Sequence, residues 1–306
     1  MFNGIPNWLC RHPDGEYLIH KCITETNFHF DRIIIPILRE FDEKYDAKHK
    51  LKKILKDISP IPEILVINDN TDGPADTIYK TIIESEISGS ITVHDSDVFL
   101  KTNIEYGDNI VIGLNLQNFK RNIKDISDKS FVKVNENGII LDIIEKEIVS
   151  DCICCGIYGF KNADDFCKAY ELLSQPHYKI NNLYVSNIIS YLIGIKNYVF
   201  LFNTVEDYCP IDNLVDWKRL NMRYGTYFID CENISTESIE KIKKICEKGA
   251  KVIVFYDKKT DIYKNIQNYN FSGLTIVAKK RFGDTILINN EEELNEYISW
   301  IEYDER

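Results

Sequence analysis

Apolar β-branched runs separated by helix-length amphipathic stretches constrain this chain more than any other feature. Ile33-Ile34-Ile35-Pro36-Ile37-Leu38, Glu63-Ile64-Leu65-Val66-Ile67 and Ile91-Thr92-Val93 stay apolar instead of alternating, as strands buried on both faces do. Helical stretches from Lys44 to Lys56 and from Ala75 to Glu86 lie between them. That alternation predicts an α/β fold, a mostly parallel, doubly wound sheet with crossover helices. Asn137-Gly138, between Ser130–Val134 and Ile139–Lys146, adds a hairpin.

The pattern restarts near Leu220. A strand at Thr226–Asp230 is followed by a helix from Thr236 to Lys248, with Ser235 as its cap and Gly249 past its end. Further strands follow at Lys251–Tyr256, Thr275–Val277 and Thr285–Ile288. With 306 residues there is room for a large and a small domain, and we place them at 1–218 and 223–306, the second a smaller α/β unit.

A net charge of −11 argues against a broad nucleic-acid footprint. It leaves room for small phosphorylated ligands, which need only local cations. No stretch reaches the ~18 apolar residues of a membrane span, and the first residues do not form a signal peptide. The expectation is a cytoplasmic protein. The helix from Lys44 to Lys56 is basic on the side opposite Leu51, Ile54 and Leu55. Its charge fits a solvated face, with phosphate or lipid binding as the alternative. Cys152, Cys154 and Cys155 crowd one strand but lack paired Cys-x-x-Cys arms, so packed thiols fit better than zinc.

The chemistry-bearing stretch is His94-Asp95-Ser96-Asp97, directly after the strand ending at Val93. Ligands of open α/β sheets bind outside the carboxyl ends of strands, where two carboxylates can hold a divalent cation against phosphate oxygens. The same spacing also fits an Asx-rich turn.

Five segments in order resemble the sugar-phosphate nucleotidyltransferases, which join a nucleoside triphosphate to a phosphorylated sugar or alcohol and release pyrophosphate. Ile5-Pro6-Asn7-Trp8-Leu9 resembles the family's Pro-Lys-x-Leu segment, and Gly73-Pro74-Ala75-Asp76-Thr77 its small-residue loop at a helix start. His94-Asp95-Ser96-Asp97 resembles its acidic metal motif. Glu145-Lys146 with Gly156-Ile157-Tyr158 resembles its acceptor segments, and Asp207 to Trp217 its closing acidic segment.

The resemblance implies that Asp97 and Asp212 bind Mg²⁺ and that Lys146 meets the acceptor phosphate. It puts Gly73, Ala75, Asp76 and Thr77 by the nucleotide, and Asp95, Glu145, Gly156 and Tyr158 around the substrates. The implied partners are a nucleoside triphosphate, CTP among the candidates, and a phosphorylated acceptor feeding surface-glycan synthesis, with homo-oligomerisation open. Structural readings stand beside these. Lys146 between Glu145 and Glu147 also fits a solvated charge cluster, Gly73-Pro74 a turn, and Asp212 a helix cap.

Two departures count against catalysis. The family has a strand and a Gly-rich loop with an arginine ahead of its Pro-Lys segment, whereas Met1 stands close before it here, and Asn7 replaces the lysine. Arg11 and Lys21 are the nearest cations in sequence. A non-catalytic descendant that binds nucleotide, sugar phosphate or a partner is therefore the rival reading.

The second unit resembles the haloacid dehalogenase superfamily more faintly. Asp230 stands at the nucleophile, Glu232 at the acid/base aspartate and Lys279 at the family lysine. Asn289 and Asn290 occupy the place of metal-binding acids, so the resemblance implies a degenerate module.

Overall fold

The computed structural model describes residues 6–26, 30–68, 70–100, 107–118, 126–178, 182–205, 208–211, 214–230, 238–256, 272, 274–278, 286–288 and 294–295. The chain is a mixed α/β protein with two compact units. One comprises Ile19–Phe119 with Lys124–Pro210, and the other groups Met1–Leu18 and Lys120–Ile123 with Ile211–Arg306.

The elements of the larger unit begin with α1 (Leu18–Thr24), β1 (Ile34–Leu38), α2 (Arg39–Tyr45) and α3 (Ala47–Ile54). Next come β2 (Glu63–Ile67), α4 (Pro74–Glu84), β3 (Ile91–His94), β4 (Val98–Leu100) and β5 (Ile110–Asn115). The hairpin β6 (Ser130–Val134) and β7 (Ile140–Glu145) leads to β8 (Cys152–Phe160). Then follow α5 (Ala163–Leu173), α6 (Val185–Gly194), β9 (Leu201–Thr204) and β10 (Tyr208–Pro210).

β8 organises this unit. All nine of its residues are buried, which explains its unbroken apolar run and places Cys152, Cys154 and Cys155 inside the core. The strand order is β7-β6-β8-β5-β9, with β3 also on β8. β1 with β2 and β5 with β9 are parallel. β8 runs antiparallel to β3, β5 and β6; the Asn137-Gly138 hairpin reverses the chain between β6 and β7, and β8 continues in β7's direction on the other side of β6.

β8 also changes neighbours along one edge. Its Ile153 faces Phe131 of β6, while Ile157 to Phe160 face β3. Between them the register against β5 slips at Ile112/Gly113, leaving Cys155 and Gly156 as a bulge. Gly156 has φ +77°, a left-handed conformation that glycine adopts without a Cβ penalty.

α4 starts at Gly73 with Pro74 in its first turn, where a missing N–H costs nothing. Its Ala75 and Ile82 join Val111, Tyr158, Phe160, Phe166 and Ile188 in one core. α5 is capped by Asn162, whose side-chain oxygen accepts from the Asp164 N–H at 3.1 Å.

The second unit contains α7 (Leu214–Tyr224), β11 (Thr226–Asp230), α8 (Ser238–Glu247), β12 (Lys251–Tyr256), β13 (Leu274–Ala278) and β14 (Ile286–Ile288). Its sheet is parallel throughout, in the order β13-β12-β11-β14. The order reverses at β11, the usual position of a ligand crevice in such sheets.

Candidate functional site

The bulge in β8 and the end of β3 build the site together. The Asp95 N–H donates to the Gly156 carbonyl at 2.8 Å. A Cβ on Gly156 would lie 2.6 Å from Asp95 Oδ2, so the acidic turn and the bulge occupy one another's van der Waals envelope. Asp97 is half-buried in the turn before β4. Its charge, together with burial as the larger cause, pushes up the Cys22 thiol, whose S–H donates to the Ser96 carbonyl at 3.4 Å.

Across the hairpin, Ser130 pairs with Glu145. Glu145 Oε2 accepts from Ser130 Oγ at 2.5 Å and from Ser186 Oγ, at the start of α6, at 2.6 Å. The Tyr158 hydroxyl lies near Ser130, and burial pushes that phenol well above its usual range, with Asp95 and Glu145 among the charges adding to the shift. Asp95, Glu145, Gly156 and Tyr158 are thus gathered at one place.

Lys146 follows with φ +57°, which turns it off the end of β7. Its Nζ donates to the Tyr184 hydroxyl at 3.1 Å, and that bond is the main cause holding its pKa above the ordinary lysine value. The amine is therefore an exposed, fixed cation beside the glutamate network.

The small-residue loop is tied into the fold. The Ala75 N–H donates to Leu183 O at 3.1 Å and the Thr77 N–H to Gly73 O at 3.2 Å. Thr77 Oγ1 donates to Thr71 Oγ1 at 2.9 Å. Gly73 has φ +113°, and a Cβ there would meet Leu183 O at 3.1 Å. The Asp76 carboxylate accepts from the Asp72 N–H, from the Tyr170 hydroxyl at 2.7 Å and from Lys80. These bonds hold the Asp76 carboxyl below its usual range against the raising effect of burial. They also use its oxygens within the fold.

Asp212 lies outside the described residues, as do Glu232 and Lys279. The neighbouring β10 pairs antiparallel with β4, Pro210 opposite Val98, which brings the preceding part of the closing segment to within one residue of Asp97. Asp230 ends β11 at the switch point of the second sheet.

Sequence reasoning missed Ser130, Ser186 and Tyr184, and it gave His94 no role of its own within the acidic motif. Ser130 had a signal, because counting outward from Asn137-Gly138 as a two-residue loop pairs it with Glu145. Ser186 and Tyr184 reach the site only through the placement of α6. His94 Nδ1 bonds the Asp95 carbonyl at 2.6 Å, so Nδ1 carries the proton and Nε2 is left as a lone pair. Nε2 is enclosed and has no partner among the described residues. Burial lowers the His94 pKa to about 4.

Solved structures share this fold. The nucleoside-diphosphate-sugar pyrophosphorylase of Vibrio cholerae RC9 is similar over 71% of this chain and 91% of its own, at 16% identity and a TM-score of 0.56. A UDP-glucose pyrophosphorylase complexed with UDP-glucose matches 71% of this chain and 89% of its own at 13% identity, TM-score 0.53. The inositol-1-phosphate CTP transferase of T. maritima matches 71% and 84% at 11% identity, TM-score 0.52. Neither a family model nor a curated protein matches the chain. At these identities the likeness establishes the nucleotidyltransferase fold.

Proposed function

We propose that this protein is a Mg²⁺-dependent nucleotidyltransferase joining a nucleoside triphosphate to a phosphorylated sugar, polyol or similar alcohol, with release of pyrophosphate. The observation that carries this reading is the meeting of Asp95 with the Gly156 bulge, beside Glu145 and Tyr158, on the fold of sugar-nucleotide pyrophosphorylases. We further propose a supply role in surface-glycan precursor synthesis in the cytoplasm, a division into domains 1–218 and 223–306, and a degenerate haloacid dehalogenase-like second domain.

The donor set suits the metal. Asp95 and Asp97 offer carboxylate oxygens on a turn, and Mg²⁺ is commonly held by one or two carboxylates, several waters and substrate phosphates. Asp97, with Asp212 from the closing segment, would hold the ion, which when bound offsets phosphate charge. The chain's own residues do the positioning. Lys146, fixed by Tyr184, receives the acceptor phosphate so that its oxygen lies in line with the α-phosphorus. Glu145, held by two serine hydroxyls, orients the acceptor's hydroxyls by accepting from them.

A second reading, a descendant that binds nucleotide or sugar phosphate without turnover, is favoured by Asn7. Its Nδ2 donates to Ile211 O at 3.0 Å and its Oδ1 is buried, so the position supplies no cation to a triphosphate. Thermal melting with each nucleoside triphosphate, with and without Mg²⁺, separates the two when combined with a pyrophosphate-release assay over phosphorylated acceptors. A ligand at 100 times its Kd adds about 2.7 kcal/mol. A Mg²⁺-dependent shift with pyrophosphate release supports the transferase, and a shift without release supports the binding protein.

A further inference from the structure

Helix α3 carries a charge pattern that the proposed chemistry does not use. Lys48, His49, Lys50, Lys52 and Lys53 are all exposed, and Lys56 continues the surface into the following turn. At about 100° per residue within α3, Lys48 and Lys52 form one row and His49 and Lys53 the next. Ala47, Leu51 and Leu55 lie on the opposite side and are buried in the fold. The helix is therefore seated by its apolar side and presents a basic plate, wrapped around the rest of its circumference, outward.

No ion pair ties these lysines among the described residues. Lys21, Lys80, Lys161 and Lys243 each have a carboxylate partner. Lys48, Lys50, Lys52, Lys53 and Lys56 have none among the described residues. Asp42 of α2 is used at the helix start, where its Oδ1 accepts from the Lys48 N–H at 2.8 Å. All this sits on a chain of net charge −11, so the attraction must act locally, within the ~8 Å screening length of physiological salt.

An exposed apolar side chain lies on the loop that follows α3. Ile61 is 73% exposed, the most exposed of the large hydrophobic residues described. It stands between Pro60 and Pro62 on the loop that runs from α3 into β2. No helix of the described residues is long and apolar enough to cross a membrane, so any lipid contact by this part would be at the surface.

We propose that the α3 plate and Ile61 dock the protein on an anionic lipid bilayer. Lysines near an anionic leaflet each strengthen attachment by about five-fold, and clusters of several on one helix give reversible, salt-sensitive binding. A neighbouring apolar side chain enters the headgroup boundary. The composition favours lipid over nucleic acid. The plate holds no arginine fork for bidentate phosphate recognition, and the exposed large side chain on the loop after it is aliphatic, where a base would stack on an aromatic ring.

The test is vesicle flotation of the full chain. Phosphatidylcholine vesicles are compared with vesicles containing phosphatidylglycerol, at low and high salt, with single-stranded RNA as a competitor. The expected result is flotation only with phosphatidylglycerol, reversal by salt, and about 100-fold weaker binding for K48E/K52E/K53E. Ile61→Ser should weaken binding several-fold. The K48Q/K52Q/K53Q set, with melting curves for every variant, keeps the test readable if charge reversal disturbs folding. No flotation at low salt, equal flotation with phosphatidylcholine alone, or retention by folded K48Q/K52Q/K53Q protein would overturn the proposal. Displacement by RNA together with indifference to Ile61→Ser would overturn it in favour of a nucleic-acid partner.

Discussion

The Asp95 carboxylate fills the space a Gly156 side chain would need, and the backbones of the two residues are hydrogen-bonded at 2.8 Å. Gly156→Ala therefore adds a methyl 2.6 Å from Asp95 Oδ2 at a backbone with φ +77°. We expect a stability loss of about 1–3 kcal/mol, seen as a lower melting midpoint. Transfer activity should fall further than that loss explains, because the acidic turn is displaced. Unchanged activity would separate Asp95 from the reaction.

Asp97→Asn should reduce Mg²⁺-dependent pyrophosphate release by at least about 100-fold. Asn keeps the size and the turn-forming side-chain oxygen of the aspartate, so melting in the absence of ligand should barely move. A large fall in the melting midpoint would mark Asp97 as a structural turn residue.

Lys146 combines a fixed amine with a left-handed backbone, φ +57°. Removing the amine should lower kcat/KM for the acceptor about 10–100-fold, mainly through KM. Lys146→Gly also relieves the backbone cost of about 1 kcal/mol. It should melt above Lys146→Ala while being equally impaired, and a thermal melt of both variants beside their kinetics checks this.

His94 makes stability depend on mildly acidic pH. An unfolded histidine binds a proton near pH 6.5, whereas folded His94 resists until about 4. Between those values only the unfolded chain takes up the proton, so stability is fully present above about 6.5 and declines as pH falls towards 4. His94→Asn keeps a donor near the Nδ1 position and cannot titrate. Its melting curve should flatten across that window, and a slope identical to wild type would assign the effect to another group.

Asp230 ends a central parallel strand at a switch point, but in the proposed chemistry it touches neither substrate. Asp230→Asn should leave pyrophosphate release unchanged within two-fold. A larger loss, measured on folded protein, would mean that the second unit takes part in transfer.

Much of this architecture could be read from residue order. Continuous apolar runs announced β1 and β2, and β8 lacks the polar alternation of a half-exposed strand because all nine of its residues are buried. The Asn137-Gly138 turn announced the β6–β7 hairpin, whose register, read no further in the sequence, pairs Ser130 with Glu145. Asp95, Glu145, Gly156 and Tyr158 were legible as segments, and the fold gathers them. Asp76 shows the limit of such reading. It sits in the first turn of α4, in a segment whose residue types suit a phosphate, yet its carboxylate accepts from Tyr170, a helix away.

The sequence by itself determined the alternating α/β order, the strand cores, the hairpin and the acidic turn, since each depends on periodicity or turn chemistry within a short stretch. Only the tertiary structure decided that β8 leaves β6 for β3 at a bulge, that Asp95 folds over Gly156, and that α6 delivers Ser186 and Tyr184 to Glu145 and Lys146. Those relationships join residues tens of positions apart, and they are set by which sheet edges and helix ends the packed core brings together.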